Sequence, residues 1–440
     1  RGLGDVYKRQ YMYGLRLQPG EKGTLGCGLG QRMSTGSKGI ARPTIEIANT
    51  GEKHTIDGVE MEFVYVLDTE APVEIMVWLP QLKAFCTAED MTHNMHNLQT
   101  LRGAKVRNGL LWSKAVDTAI ERYGDRVEVS FSTHHWPTWG NERIVDYWEA
   151  QRDMYRYLHD QTLHLANRGL TPDEIAEEMK LPASLASQFN CRGYYGTLSH
   201  NVKAQYDLYF GWFNGNPAHL NPLPPSELGA KYVEAIGGAD KVLEVAKVSY
   251  AKGEYRWVAT LLDNLVFAEP ENKEARQLLA DTYTQLGYQA ESGPWRNFYL
   301  TGARDLFKKD VPYTSQLIND GVLAQMDMGT LLDYCAIQLN GKKAAGKEAV
   351  ININFTDTKE KVMLMLNNEV LNHRLDSQDK KADLTLEIAK MDFVKLFFGR
   401  TDLQTLLKTN KVRTTGNTKA MEVICSAYEP ADPNFKIVLP

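Results

Sequence analysis

The sequence lacks most features that would place it outside the ordinary globular class. Its five cysteines, Cys27, Cys86, Cys191, Cys335 and Cys425, are scattered, odd in number and without CxxC spacing. They form neither a disulfide framework nor a thiolate zinc site, and read as small apolar core residues. No stretch of about eighteen apolar residues occurs, so no segment reads as membrane-spanning. Basic residues form no run and are outnumbered, 50 Lys and Arg against 55 Asp and Glu, which sets nucleic-acid binding aside. The chain opens on Arg1 without a signal-peptide pattern, and RGLGDVYKRQ joins abruptly to a Gly-rich stretch. We read the N-terminus as truncated and residues 1–10 as an assembly artefact.

What is present suffices for a sizeable core. With 440 residues, 43% of them hydrophobic, two or three domains are expected. Residues 11–140 read as strands with loops. Thr44–Ile47, Glu60–Val66, Val73–Leu79 and Val127–Ser132 are β-branched or aromatic runs, and Leu110–Tyr123 has helical spacing between two of them. That mixture suggests an α/β layer arrangement. From residue 141 the pattern turns helical, with Asp146–Asn167 a long amphipathic segment. Thr171-Pro172-Asp173-Glu174 then forms a capping box. Gly253 and Gly287, each read as ending a helix, lie 34 residues apart, the tetratricopeptide period. From about residue 311 a small α+β domain is expected. Its strands are Ile351–Phe355, Val362–Leu366 and Leu384–Ile388, and its helices Met391–Phe398 and Asp402–Lys408.

The densest chemistry lies in Asp68–Arg107. Glu70 follows a strand, and so does Ala88-Glu89-Asp90. His93, His96, Asn97, Thr100, Arg102 and Arg107 come next, and Thr133-His134-His135 ends a later strand. Zinc accepts imidazole nitrogen and carboxylate oxygen, and arginine forks suit a tetrahedral oxyanion. Each residue taken alone also has a plain reading. Glu70 and Glu89 could be solvated carboxylates, and His134-His135 could pack in a polar core. His93 and His96 share the spacing of a helical turn and could lie on a helix surface or behind a ligand. Arg102 and Arg107 are most simply solvated.

TEAP, the AE dipeptide whose Glu89 follows Glu70 by 19 residues, HNLQTLRGAKVR, HHWPTWG, RDMYRYLHDQTL, RGYYGTLSHNVKAQY and PWRNFYL together resemble the alkyl sulfatases of the metallo-β-lactamase superfamily. The resemblance runs from about Tyr11 to the C-terminus. It implies an incomplete α/β metallo-β-lactamase-type domain (11–140) and an all-α, tetratricopeptide-like dimerisation domain (141–305). An α+β domain of the sterol-carrier-protein-2 type (311–440) would follow. It further implies two zinc ions per subunit, a homodimer, and an alkyl sulfate split into alcohol and inorganic sulfate, and it favours a periplasmic or secreted location. Residue by residue, it places Glu70 as a zinc ligand and Glu89 as the catalytic carboxylate bridging both zincs. His134, with His135 as fallback, is placed as the second zinc's histidine. Asn97, Leu98, Gln99, Thr100, Leu101, Arg102, Arg107 and Tyr195 are placed at the sulfate. The family's HxHxDH motif is absent: none of the ten histidines stands in it. With only three of the usual ligands, this chain alone is expected to bind substoichiometric zinc and to show little activity. The alternatives are a non-catalytic dimeric protein that binds lipid or detergent, and a metallohydrolase of another ester.

Overall fold

The computed structural model describes residues 4–31, 41, 43–307, 319–430 and 436–440. Helix α1 (Gly4–Met12) takes in most of the segment read as foreign, and Gln10, Tyr11 and Met12 are buried. The first sheet contains β1 (Lys53–Ile56), β2 (Val59–Leu67), β3 (Val73–Leu79), β4 (Ala84–Cys86), β5 (Val129–Phe131) and β6 (Thr138–Trp139), hydrogen-bonded in that order. Asp57 and Gly58, at φ +50° and +81°, make the two-residue turn that joins β1 to β2. Positive φ at both positions is what such a hairpin needs, hence the Asp-Gly pair. The run Thr44–Ile47 is not a strand: Thr44, Ile45 and Glu46 are exposed, and no strand among the described residues pairs with them. β-branched composition without a buried face does not make a strand.

Neighbouring strands are antiparallel except β4 and β5, which run parallel, with Ala84 opposite Val129. A parallel pair needs a crossover, and helix α2 (Gly109–Tyr123) is part of it. Asn108 caps this helix by accepting from the Leu110 and Leu111 amides. Trp112, Val116, Ala119 and Tyr123 form its buried stripe. They join Phe85, Leu98, Trp148 and Tyr155 in a core that extends from Val64 to Ala204.

The helical layer follows. It contains α3 (Asn141–Ala166), α4 (Pro172–Glu178), α5 (Ala183–Ala186), α6 (Leu198–Phe210), α7 (Pro225–Ile236), α8 (Ala239–Ala251), α9 (Tyr255–Ala268), α10 (Lys273–Gln289) and α11 (Gly293–Asp305). The capping box forms as expected, with Thr171 and Glu174 bonded reciprocally. Gly287 does not end a helix: it lies inside α10, and a Cβ there would sit 2.9 Å from the Leu300 side chain. Its role is the close approach of α10 to α11.

The boundary expected near residue 311 lies outside the described residues. Beyond it come α12 (Asp320–Gln325), α13 (Met328–Ile337), α14 (Gly341–Ala344), α15 (Lys390–Phe397), α16 (Leu403–Lys408) and α17 (Lys419–Ser426). Strands β7 (Ala349–Phe355), β8 (Lys361–Asn367), β9 (Val370–Leu375), β10 (Leu384–Ile388) and β11 (Val412–Gly416) form a second sheet in the order β11-β10-β7-β8-β9. Ile351, Leu364, Leu386, Phe393, Phe397 and Ile424 fill its core. Val438 and Leu439 pack instead into the helical core with Leu262 and Leu306. No helix among the described residues is long and apolar enough to cross a membrane.

Candidate functional site

Three loops meet where strands of the first sheet end. Glu70 lies in the β2–β3 connection, in which the Asp68 amide donates to the Pro72 carbonyl at 3.2 Å. Glu89 follows β4 and His134 follows β5. Because those strands are parallel, their ends lie side by side: the Thr87 amide bonds the Phe131 carbonyl at 2.8 Å, and the Thr133 amide bonds the Ala88 carbonyl at 3.0 Å. Strand C-terminal ends are where open α/β sheets collect ligands.

His134 Nε2 is 3.2 Å from Glu89 Oε1. His96 Nε2 is 3.4 Å from Glu89 Oε2. Glu70, Glu89 and His96 each offer a ligand atom, all within 4.8 Å of one another. His135 points elsewhere: its Nδ1 accepts from the His93 amide at 3.2 Å and its Nε2 lies 3.1 Å from the Gly28 carbonyl. Of the adjacent pair, His134 therefore reaches the carboxylates.

Arg107 is 6% exposed, not solvated as its sequence context suggested. It is ion-paired with Glu70 and donates through Nε to the Glu70 carbonyl at 2.6 Å. Its Nη1 donates to the Asn97 carbonyl at 2.8 Å and to Asn97 Oδ1 at 2.5 Å. Glu74 and Asp90, to which no role was assigned, complete the cluster. Glu74 Oε1 accepts from the Glu89 amide at 3.1 Å, and Asp90 is fully buried. Burial, then the neighbouring carboxylates, pushes both their carboxyls upward. Burial also works to raise Glu89, but His134 and His96 outweigh it and hold that carboxyl well below the usual range. The bond to Glu89 in turn raises His134, while burial lowers His96. Four carboxyl groups thus cluster where one guanidinium pairs with Glu70, and two of them are pushed toward the protonated form, a balance that a bound cation would relieve.

The segment from Thr87 to Asn108 is a buried loop, so His93 and His96 are not on a helix despite their spacing. His93 stacks between Trp136 and Tyr147, at 5.0 and 4.8 Å. A buried backbone must find partners, and this one finds them on the next region. The Met95 amide bonds the Arg192 carbonyl at 2.8 Å, the Leu98 amide bonds Asn201 Oδ1 at 2.8 Å, and Gln205 bonds the Arg107 carbonyl at 2.9 Å. Of the residues placed at the sulfate, Asn97 and Arg107 touch each other beside Glu70, and Tyr195 packs edge-on against His96 at 4.8 Å. Leu98 is in the core. Thr100 donates to Met12 Sδ at 3.3 Å, and the Gln99 carbonyl bonds His200. Gln99 and Leu101 line an aromatic cleft of about 360 Å³ with His200, Lys203, Trp295, Phe298 and Tyr299. Arg102 is half-buried.

Comparison with known proteins is decisive at this point. Residues 171–309 match the model of the alkyl sulfatase dimerisation family, and residues 316–440 that of the alkyl sulfatase C-terminal family. A linear primary-alkylsulfatase of Pseudomonas sp is 46% identical over 100% of this chain and 65% of its own length. The alkyl/aryl-sulfatase BDS1 of Saccharomyces cerevisiae is 41% identical over 98% of the chain and 67% of its own. The chain belongs to the alkyl sulfatase family. It spans about two thirds of the length of these curated relatives. The solved stereoselective inverting sec-alkylsulfatase Pisa1 from Pseudomonas sp superposes with a TM-score of 0.97 at 39% identity, covering 100% of this chain and 69% of that one. In the sequence of this chain, Glu74 and Asp90 were legible only as carboxylates beside a strand. Asp90 is covered by the loop and by Trp112, whose Nε1 donates to the Asp90 carbonyl at 2.6 Å; Glu74 is half-buried.

Proposed function

We propose that the protein containing this chain hydrolyses alkyl sulfate esters to an alcohol and inorganic sulfate at a dinuclear zinc centre. The observation that carries the reading is the convergence of Glu70 and Glu89, with His134 on the Glu89 carboxylate, beside a buried Arg107. Carboxylate oxygen and imidazole nitrogen are donors that zinc accepts, and the carboxylate excess around Arg107 fits a divalent ion. When bound, zinc supplies a water of lowered pKa. Glu70, Glu89 and His134 are the residues of this chain that would hold it. Arg107, fixed by Asn97, and Arg102 offer forked donors for the sulfate oxygens and for the charge that develops there. Tyr195 closes the site from the side of His96. The cleft of Leu101, Trp295 and Phe298 is apolar enough for an alkyl tail. The first sheet is then the later part of a metallo-β-lactamase-type domain, the helical layer joins two subunits, and the last domain is of the sterol-carrier type.

The test uses the protein with the region that precedes Arg1 restored. Glu89→Ala should lower sulfate release from dodecyl sulfate, followed by ion chromatography, below detection. Undiminished release removes Glu89 from the reaction. An unsubstituted protein that binds dodecyl sulfate but frees no sulfate would favour a non-catalytic detergent-binding protein.

A further inference from the structure

The dipeptide Asn-Gly occurs three times in the chain, at Asn108-Gly109, Asn214-Gly215 and Asn340-Gly341. The fold treats them differently. Asn108 caps α2, accepting from the Leu110 and Leu111 amides at 3.0 and 3.1 Å. Asn340 caps α14, accepting from the Lys343 amide at 3.1 Å. In both, the glycine is the first residue of the helix. Gly109 is buried and its amide donates to Gln205 Oε1 at 3.0 Å. Asn340 Nδ2 donates to Glu429 Oε2 at 2.7 Å. These two side chains are therefore held in capping geometry.

Asn214-Gly215 lies outside any helix, in the connection between α6 and α7. Gly215 is exposed, at φ +87°, with open space where a Cβ would stand. Its amide donates to nothing among the described residues. The Asn214 carboxamide, by contrast, is engaged at both ends. Its Oδ1 accepts from the Asn216 amide at 3.1 Å, and its Nδ2 donates to His219 Nδ1 at 2.8 Å. A backbone N–H only donates, which fixes which end of the carboxamide is oxygen. Nδ1 of His219 then accepts, and its ring proton sits on Nε2. A single 3-10 turn, Pro217–His219, carries the imidazole, and Asn216 caps that turn by accepting from the Ala218 amide at 3.0 Å.

We propose that Asn214 is a modification site at which the chain deamidates itself, with the Asn216 amide and the His219 imidazole as the assisting groups. The Gly215 nitrogen loses its proton and bonds to Asn214 Cγ, unhindered because glycine has no Cβ. Negative charge develops on Oδ1, where the Asn216 N–H already points. The Cγ–Nδ2 bond then breaks. The nitrogen leaves as ammonia, taking up a proton that His219 Nδ1 faces it to relay. The cyclic imide that results is opened by water at either carbonyl, leaving aspartate or isoaspartate. The conversion puts a negative charge into a loop beside the exposed Trp212 and Leu220, within the region matched as dimerisation. It draws on neither metal nor sulfate ester, so it stands apart from the hydrolytic reading above.

The test is a time course of peptide maps by mass spectrometry, on the full chain held folded in neutral buffer and on the same chain held in urea. In the folded protein the amide-to-acid mass increase should accumulate at Asn214, with isoaspartate among the products. Asn108 and Asn340 should lag it by about ten-fold or more, because their helices must open first. In urea the three should convert at similar rates, since only the shared dipeptide is left. This comparison needs no variant. All three keeping pace in the folded protein, or Asn214 converting more slowly folded than in urea, overturns the proposal. His219→Ala should slow the folded-state conversion of Asn214 by about ten-fold, less than a positioned acid–base group usually contributes because water reaches this loop. Its Asn108 and Asn340 should stay as slow as in the unsubstituted chain, which shows that the variant is folded. A folded His219→Ala chain that converts Asn214 at the unsubstituted rate also overturns the proposal.

Discussion

Replacing Arg107 with methionine keeps much of the side-chain volume and removes the charge that pairs with Glu70. The Arg107 side chain is 7% exposed and that of Glu70 19%. The change deletes the ion pair to Glu70, the bond to the Glu70 carbonyl and both bonds to Asn97. Removing one partner of a buried pair costs about 3–5 kcal/mol. Glu70 is exposed enough for water to reach it, so the lower end, about 3 kcal/mol, applies. The core from Val64 to Ala204 and the core of the second sheet are separate clusters, so calorimetry should resolve separate transitions. For a unit of about 150–250 residues, each kcal/mol shifts Tm by roughly 2–4 °C, which gives a fall of roughly 6–12 °C. That fall belongs to the first unit, and the transition of the second sheet should stay in place as an internal control. Arg107→Lys, which keeps the charge but not the fork, should fall between. A first transition displaced by less than about 2 °C, or both transitions moving together, would refute the argument.

Two further outcomes follow from the same cluster. Burial and the surrounding carboxylates push the Glu74 carboxyl from 4.5 up to about 9, so in chelator-treated protein the folded state holds a proton that the unfolded chain has lost. A raised folded-state pKa gives stability that is present at low pH and lost as pH rises through the folded value. Guanidinium midpoints should therefore increase from pH 9 to pH 7, by less than the ~1.4 kcal/mol per pH unit of one full proton. Glu74→Gln should flatten that slope, and an unchanged slope would exclude Glu74 as its source. Gly196→Ala would drive a Cβ to 2.5 Å from the His96 carbonyl oxygen, an overpacking expected to cost about 1–3 kcal/mol. A melting temperature equal to that of the unsubstituted protein would show that the loop yields more easily than this contact implies.

Where burial follows a regular period, the sequence was legible. Val73–Leu79 and Leu384–Ile388 form strands at the bounds their pattern predicts, and Leu110–Tyr123 is a helix but for one added residue. Strands whose faces are mostly solvated went unseen. Val370–Leu375 and Val412–Gly416 are polar edge strands that carry little alternation. Thr44–Ile47 failed for the converse reason, since its residue types favour a strand but no partner covers them. His93 and His96 misled through a helical spacing in a loop that side chains, not helical bonds, hold in place. The site was only half legible from the residues themselves. Glu89 and His134 are 45 positions apart, and only the parallel pairing of β4 with β5 makes them neighbours. The family resemblance named them, and the register accounts for their meeting. Asp90 went unassigned because a carboxylate beside a strand gives no sign that a loop and an indole will cover it.

The loop that carries Asn97 and Arg107 is fastened by Arg192, Gly196, Asn201 and Gln205, all of which lie within the region matched as dimerisation. The loop and the region matched as dimerisation are therefore not independent modules in this chain. Whatever tightens or loosens α6 is felt as a displacement of the backbone from Leu98 to Arg107, without the side chain of Asn97 or Arg107 being touched. A piece cut at residue 140 would carry Glu70, Glu89, Arg107 and His134 without the scaffold that holds their loop still.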